Sequence, residues 1–221
     1  SPPGRIVDGK IELMGRDLRS LSDEEIRQIR GKRVSMIFQD PLTCLNPVLR
    51  IGYQISEVFR FHKGWDRIRS LKESIRMLKA TEIPSPEIRV RNYPHEMSGG
   101  MRQRSMIAMA LSCEPALLIA DEPTTALDVT VQAQVLKLMK ELCFERGTAI
   151  LLITHDMGVV AKMCQRVAVM YAGRMVEYAD VFTLFDKPAH PYTEALLRSL
   201  PRLGTKRNRL EPIEGQPPPM N

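Results

Sequence analysis

Short apolar runs alternate with amphipathic stretches along most of the chain. Runs of strand length occupy residues 33–38, 116–120 and 149–153, and polar residues follow each of them. The last two runs are continuously apolar, which predicts parallel strands buried on both faces. Residues 129–144, between these two runs, have the periodicity of an amphipathic helix. Strands that alternate with helices predict an α/β fold.

Turn and cap residues mark the ends of further elements. Glycines within residues 8–18 predict a short hairpin or edge strands with polar turns. Ser22 followed by Glu25 has the spacing of a capping box at a helix start. Ala172 and Gly173 separate two short apolar runs and predict a second hairpin.

The stretch from Gly52 to about Val90 is helical in period and rich in Arg and Lys. Pro84 and Pro86 interrupt it near its end. We expect a helical layer that is separate from the sheet.

Ser98, Gly99 and Gly100 stand directly before a run of strong helix formers, residues 101–111. Serine is a competent N-cap, and the backbone N–H groups at a helix start bind anions such as phosphate. Taken alone, this triplet is more often a simple loop-to-helix turn.

Polar side chains follow all three predicted strands: Gln39 after the first, Asp121 and Glu122 after the second, and His155 after the third. In parallel sheets, ligands bind beyond the carboxyl ends of the strands. A strand followed by two carboxylates has the form of a Walker B element, in which one carboxylate holds Mg²⁺ through water and the other polarises the attacking water. Each signal alone also fits a solvated strand end, but their joint order favours phosphoryl transfer.

Composition and charge narrow the class of protein only slightly. The 221 residues are 43% hydrophobic and 26% charged, as in a globular protein, and the net charge of +6 is compatible with a nucleotide, a nucleic acid or a membrane surface. No apolar run approaches the roughly 18 residues of a membrane span, so we expect a cytosolic protein without a leader. Four scattered cysteines are expected to be small buried hydrophobes: Cys44, Cys113, Cys143 and Cys164.

The motif order resembles that of the nucleotide-binding subunits of ABC transporters. IFQDP around Gln39 resembles a Q-loop, and MSGGMRQR (97–104) resembles the ABC signature. LLIADEPT (117–124), ALD (126–128) and THD around His155 resemble the Walker B motif, the D-loop and the H-switch. The longer strings IFQDPLTCLNP, NYPHEMSGGMRQR, DEPTTALDVTVQAQ and HPYTEALLRSLPRL resemble, more narrowly, the D-type ATPase subunits of dipeptide and oligopeptide importers.

The resemblance implies a P-loop NTPase (RecA-like) ABC ATPase core of the α/β class, N-terminally truncated, with an inserted α-helical subdomain. The expected parts are the partial core up to the Q-loop, the helical subdomain, the part of the core that holds the other motifs, and a C-terminal extension: residues 1–40, 41–97, 98–185 and 186–221.

The resemblance also assigns roles to individual residues. Glu122 would be the general base or water-polarising group, and His155 would contact the γ-phosphate. Gln39 and Asp121 would hold Mg²⁺ through water, and Asp128 would couple two ATP sites. Nucleotide binding is expected from residues of four motifs: Gln39, Ser98, Gly99, Gly100, Gln103, Asp121 and Asp128.

The implied function is ATP hydrolysis, with ATP and Mg²⁺, coupled to uptake of dipeptides or oligopeptides at the cytoplasmic face of the plasma membrane. The expected partners are a homologous ATPase subunit in a head-to-tail dimer, two transmembrane permease subunits and a periplasmic or extracellular solute-binding protein. The helical layer, from Asp40 to about Tyr93, would dock on cytoplasmic loops of the permeases. No nucleic acid is expected.

The sequence departs from the family pattern at one important place. A glycine-rich loop of the form GxxxxGK, followed by Ser or Thr, does not occur in it. We interpret this as N-terminal truncation, and we expect this chain alone to bind ATP weakly and to be inactive.

Two alternatives stay open from the residues. A nucleic-acid-associated ABC-type ATPase would use basic side chains of the helical layer and tail, although such runs are more often solvated faces. An inactive partial cassette would only complete a partner's ATP site through the signature. The basic residues in question are Arg60, Lys63, Arg67, Arg69, Lys72, Arg76, Lys79, Arg89, Arg202, Lys206, Arg207 and Arg209.

Overall fold

The structure is a computed structural model that describes residues 4, 6–125 and 127–199. The chain divides into two compact units, Ser1–Ile153 and Thr154–Asn221. None of the helices in the described part is long and apolar enough to cross a membrane. The four-part division at residues 40, 97 and 185 stays a prediction, and its last part lies outside the described residues from position 200 onward.

The first unit begins with the predicted hairpin and capped helix. Strands β1 (Glu12–Leu13) and β2 (Arg16–Asp17) pair antiparallel. Helix α1 (Asp23–Ile29) has both hydrogen bonds of a capping box, because the Ser22 hydroxyl accepts from the Glu25 N–H and the Glu25 carboxylate accepts from the Ser22 N–H. Both predictions are confirmed.

The helical layer consists of four helices: α2 (Pro41–Cys44), α3 (Ile51–Lys63), α4 (Arg67–Ala80) and α5 (Pro86–Arg89). A helical layer was predicted from the sequence, and the structure defines where each of its helices begins and ends. Gly64 ends α3 in the left-handed conformation, with φ of 64°.

The layer has its own apolar interior. Ile55 and Phe59 of α3 are each 1% exposed, as is Met77 of α4. The ring of Phe59 stacks on that of Trp65 at a centroid distance of 5.2 Å. Helix α3 also lies very close to the chain after α5, because the Gly52 N–H donates to the Val90 carbonyl at 2.9 Å.

Three parallel strands form the central sheet of the first unit, in the order β3 (Val34–Ile37), β4 (Leu117–Asp121) and β5 (Ala149–Ile153). This agrees with the predicted α/β class. In the register, Asp121 lies beside Ile153. The carboxyl ends of the three strands therefore meet at one edge of the sheet.

Helices α6 (Gly99–Leu111) and α7 (Val129–Glu145) cover one face of this sheet. Leu118 of β4 is fully buried on that face, whereas Leu151 and Ile153 of β5 are 51% and 46% exposed. The prediction of burial on both faces was therefore wrong for 149–153. The run 116–120 comes closer to it, because β4 is the central strand and its residues alternate between half-buried and buried. In the described part of the chain β5 is an edge strand, and these helices pack on one side only.

The second unit contains α8 (Met157–Met163), the predicted hairpin of β6 (Arg166–Tyr171) and β7 (Arg174–Asp180), then α9 (Val181–Asp186) and α10 (Pro191–Arg198). Ala172 and Gly173 form its turn with φ of 47° and 75°. Its core is made of residues from all these helices and β6: Met157, Val160, Val169, Val181, Leu184 and Leu197.

All four cysteines are free thiols. Cys143 is buried on α7, and burial raises the pKa of its thiol to about 11. The expectation that all four are buried was wrong for Cys44, Cys113 and Cys164, which are half-buried. These three lie at helix ends, where side chains have fewer neighbours than in a helix centre.

The contact at Gly52 generates a stability prediction. A Cβ atom at this position would lie 2.2 Å from Val90 Cγ2 and 2.7 Å from the Val90 carbonyl oxygen, so Gly52→Ala forces α3 away from the end of α5. We expect a loss of about 1–3 kcal/mol in the free energy of unfolding, measured by urea denaturation. Glu57→Ala, at an exposed position of α3, is the control and should change it by less than about 0.5 kcal/mol. Equal stabilities of the two variants would contradict the close approach.

Candidate functional site

Two of the predicted site residues meet at the carboxyl edge of the sheet. Gln39 follows β3 and Glu122 follows β4, 83 positions apart in the chain, and Gln39 Nε2 donates a hydrogen bond to Glu122 Oε2 at 2.8 Å. Parallel pairing of β3 with β4 brings both chain segments to the same edge, which is why residues so far apart touch.

The backbone of Glu122 has an unusual conformation. Its φ is 43°, in the left-handed region that non-glycine residues rarely adopt. Its N–H donates to the Ile153 carbonyl at 2.9 Å and so extends the pairing with β5 by one residue. The chain then reverses at once, since the Thr125 N–H returns to the Glu122 carbonyl at 3.3 Å and Pro123 occupies the second turn position that proline favours. Strain of this kind is concentrated at functional sites.

Thr125 also contacts the side chain of Glu122. Its Oγ1 lies 3.0 Å from Glu122 Oε2, the same oxygen that Gln39 reaches. One carboxylate oxygen thus accepts hydrogen bonds from two donors. Sequence analysis did not single out Thr125; the signal that could have found it is the proline turn, which brings the fourth residue back to the first.

Asp121 is the last residue of β4 and is half-buried. Because side chains alternate along a strand, it lies on the face opposite the fully buried Leu118 and Ala120. The carboxylate of Asp121 and the amide oxygen of Gln39 are oxygen donors of the kind that Mg²⁺ prefers, often through its retained waters. Both side chains therefore offer the type of donor atom that the expected metal needs, and their ligand roles stay a prediction.

The signature segment forms the start of α6. The Ser98 hydroxyl accepts from the Met101 N–H at 3.3 Å, which confirms Ser98 as the N-cap. The helix begins at Gly99, directly after this N-cap, so Gly99 and Gly100 belong to its first turn and precede the run of strong helix formers, 101–111. The first N–H groups of a helix lack intrahelical partners, so this end remains suited to an anion.

Gly100 has a packing role besides. A Cβ atom there would come within 2.8 Å of Val131 Cγ1 on α7, whereas at Gly99 the nearest atom, Leu127 Cδ2, would be 3.6 Å away. Asp128 is the N-cap of α7, and its carboxylate accepts from the Val131 N–H at 3.0 Å. The signature and the D-loop therefore occupy two helix starts in close contact, while Ala126 of the D-loop lies outside the described residues.

Gln103 lies within α6, and His155 lies in the chain segment between β5 and α8. Gln103 is 1% exposed within α6, and its Nε2 has no hydrogen-bond partner among the described residues. His155 belongs to the second unit and directly precedes Asp156, whose carboxylate caps α8. The predicted nucleotide contacts of both residues stay predictions.

Comparison with known proteins identifies the family. A family model described as ABC transporter matches residues 4–125, and one described as the C-terminal region of oligopeptide/dipeptide transporters matches residues 176–221. The chain belongs to the ABC transporter family. The resemblance found in the motifs is thereby confirmed.

Relatives within the family are ATP-binding proteins of peptide transport. The chain is 54% identical over 215 residues to the probable peptide ABC transporter ATP-binding protein y4tR of Sinorhizobium fredii, covering 97% of this chain and 64% of that protein. It is 52% identical to the oligopeptide transport ATP-binding protein OppD of Salmonella typhimurium, with 96% and 63% covered. The chain thus spans less than two thirds of the length of these relatives.

A solved structure confirms the expected cassette fold. The ATP-binding cassette MJ0796, in a dimeric post-hydrolysis state bound to ADP and Pi, matches with a TM-score of 0.70 at 25% identity, covering 79% of this chain and 74% of that one.

The glycine pair generates a prediction about the close packing of Gly100 on Val131. Gly100→Ala should lower the free energy of unfolding by about 1–3 kcal/mol through its clash with Val131, and Gly99→Ala, which has room, by less than about 0.5 kcal/mol. In a double-mutant cycle, Gly100→Ala combined with Val131→Ala should cost less than the sum of the single changes. Additive losses, measured by urea denaturation, would refute the steric explanation.

Proposed function

We propose that the protein is the ATP-binding and ATP-hydrolysing subunit of an importer of dipeptides or oligopeptides. The observation that carries this proposal is the contact of Gln39 with Glu122, which unites the Q-loop and the Walker B motif at one sheet edge. The names of the relatives support the solute class, since they are ATP-binding proteins of peptide, oligopeptide and dipeptide transport.

Glu122 is the residue that acts on water. Its carboxylate accepts a hydrogen bond from the attacking water and polarises it toward the γ-phosphoryl group of ATP. Mg²⁺, when bound with ATP, neutralises charge that develops on the phosphates. Asp121 and Gln39 would hold this ion through its bound waters. Gln39 could do so while it donates to Glu122, because an amide has an acceptor as well as a donor.

The signature segment serves a second ATP, bound to a homologous ATPase subunit in a head-to-tail dimer. Ser98, Gly99 and Gly100 offer backbone N–H groups to its γ-phosphate. Gly100 contacts Val131 in the first turn of the helix that Asp128 caps. Binding of a γ-phosphate at the signature would therefore change the packing next to the D-loop. His155 contacts the γ-phosphate of the subunit's own ATP.

The helical layer is the proposed docking surface for the two permease subunits. Tyr53 and Phe61 of α3 are 41% and 49% exposed and line a shallow groove of about 630 Å³. Aromatic side chains exposed beside a groove are typical of protein interfaces. A cytoplasmic loop of a permease would occupy this groove, and the subunit would then lie peripherally at the cytoplasmic face of the plasma membrane. A solute-binding protein completes the importer on the other side.

Three basic side chains of the helical layer have partners within the layer, as is usual on a solvated face. The Arg69 guanidinium lies 4.1 Å from the centroid of the Trp65 ring and the Lys63 ammonium 4.9 Å from it, so both contact this ring while the residues themselves are exposed. Arg76 pairs with Glu73 at 2.5 Å. The basic residues of the tail lie outside the described residues.

We further propose that the 221-residue chain alone hydrolyses ATP very slowly. Most donors to the β- and γ-phosphates in P-loop ATPases come from a GxxxxGK loop that is followed by Ser or Thr. Residues 4–10 have the GxxxxGK spacing, but Ile11 follows them, so the full pattern does not occur in this sequence.

The decisive variant is Glu122→Gln in the protein expressed from its complete gene and assembled with its partner subunits. The amide keeps the size of the side chain and removes its capacity to polarise water. We expect ATP affinity within about twofold of the parent and a fall in kcat of at least about 100-fold, measured by equilibrium binding and phosphate release. Glu141→Gln, on the exposed side of α7, is the matched control.

Loss of ATP binding in Glu122→Gln would count against its role toward water. Unchanged hydrolysis would overturn the proposed function. Salt-dependent binding of the assembled protein to DNA or RNA would favour the nucleic-acid class instead.

A further inference from the structure

We propose that Thr125 is a positioning residue that holds the water-polarising carboxylate of Glu122 through its side-chain hydroxyl. The proposal rests on the function proposed for Glu122 and adds a residue to that site. It starts from the 3.0 Å contact between Thr125 Oγ1 and Glu122 Oε2.

The hydroxyl has two acceptors within reach and a single proton. Glu122 Oε2 lies at 3.0 Å and the Glu122 carbonyl oxygen at 3.3 Å. The carboxylate is both nearer and charged, and hydrogen bonds to charged acceptors are stronger than those to neutral ones. The proton therefore goes to the carboxylate.

The backbone around Thr125 makes the hydroxyl a fixed donor. The Thr125 N–H bonds to the Glu122 carbonyl and closes the proline turn, and the Glu122 N–H is tied to Ile153 of β5. Both residues thus belong to one short, hydrogen-bonded reversal at the sheet edge. Within this reversal the remaining freedom of Glu122 is its side-chain torsions, which the hydroxyl restrains.

Gln39 and Thr125 hold the same oxygen from different parts of the chain. Gln39 is exposed and follows β3. Its amide donates to Glu122 and, in the proposed mechanism, also accepts from a water of Mg²⁺. Thr125 is three positions from Glu122 and has no such second task in the proposed mechanism. We assign to Thr125 the constant part of the restraint and to Gln39 the part that depends on nucleotide.

The test compares Thr125→Val, which keeps the shape and removes the hydroxyl, with Thr125→Ser, which keeps the hydroxyl. Both are made in the protein expressed from its complete gene and assembled with its partner subunits. For Thr125→Val we expect kcat to fall about tenfold with KM for ATP within twofold, and for Thr125→Ser both constants within about twofold. A tenfold fall corresponds to about 1.4 kcal/mol in activation free energy.

Thr148→Val is the matched control for loss of a threonine hydroxyl. Thr148 Oγ1 donates to the Pro115 carbonyl at 2.7 Å, next to the amino end of β5 and away from the carboxyl edge. This variant should lower the melting temperature and leave kcat unchanged. Thr125 is exposed, so Thr125→Val should keep the parent melting temperature; Thr125→Ala, with the same expected kcat, replaces it if the valine variant does not fold.

Coupling to Glu122 completes the test. In a Glu122→Gln background, Thr125→Val should change the residual rate less than twofold, because the group that it positions has already been removed. A kcat like the parent's in Thr125→Val, a failure of Thr125→Ser to retain activity, or a further tenfold loss in the double variant would overturn the proposal. The proposed function is tested separately, by ATP hydrolysis in Glu122→Gln and by binding of the assembled protein to DNA or RNA.

Discussion

Parallel pairing of β4 with β3 on one side and β5 on the other is the constraint on which the site depends. Strands that run in the same direction must end at the same edge, so residues from distant parts of the chain meet there. The bond from Gln39 to Glu122 and the bond from the Glu122 N–H to Ile153 both follow from this pairing. A slip of one residue in the β3 register would send the side chains of that strand to the other face and separate Gln39 from Glu122.

A second constraint operates at the helix starts. Helices α6 and α7 pack on the same face of the sheet, and their first turns approach so closely that only hydrogen fits at Gly100. The glycine that makes an anion site possible is therefore also the glycine that lets the two helices touch. Anion binding and packing impose the same requirement on the residue, so its presence alone does not distinguish between them.

Local signals in the sequence were sufficient for most elements. The capping box at Ser22, the apolar runs of the sheet and the hairpin at Ala172 and Gly173 are short-range features, and the structure has each of them. Burial was less predictable, because an apolar run such as 149–153 does not reveal what covers it, and β5 is half-exposed. Gln103 shows the same limit, since its place in the signature gave no sign that α6 would bury it.

Contacts within the candidate site also differ in how far the sequence predicts them. The strand-end positions of Gln39 and Glu122 could be predicted because each follows an apolar run, and parallel pairing then implies that they are near each other. The proline turn signals only that Thr125 returns to Glu122; the contact of its hydroxyl with the carboxylate also needs the left-handed φ of Glu122, for which the sequence has no signal. A glutamate bears this conformation at an energetic cost, and the two hydrogen bonds of its backbone oppose relaxation. The strained turn at Glu122 therefore also positions its carboxylate, because the backbone geometry at the strand end brings the Thr125 hydroxyl to the carboxylate oxygen.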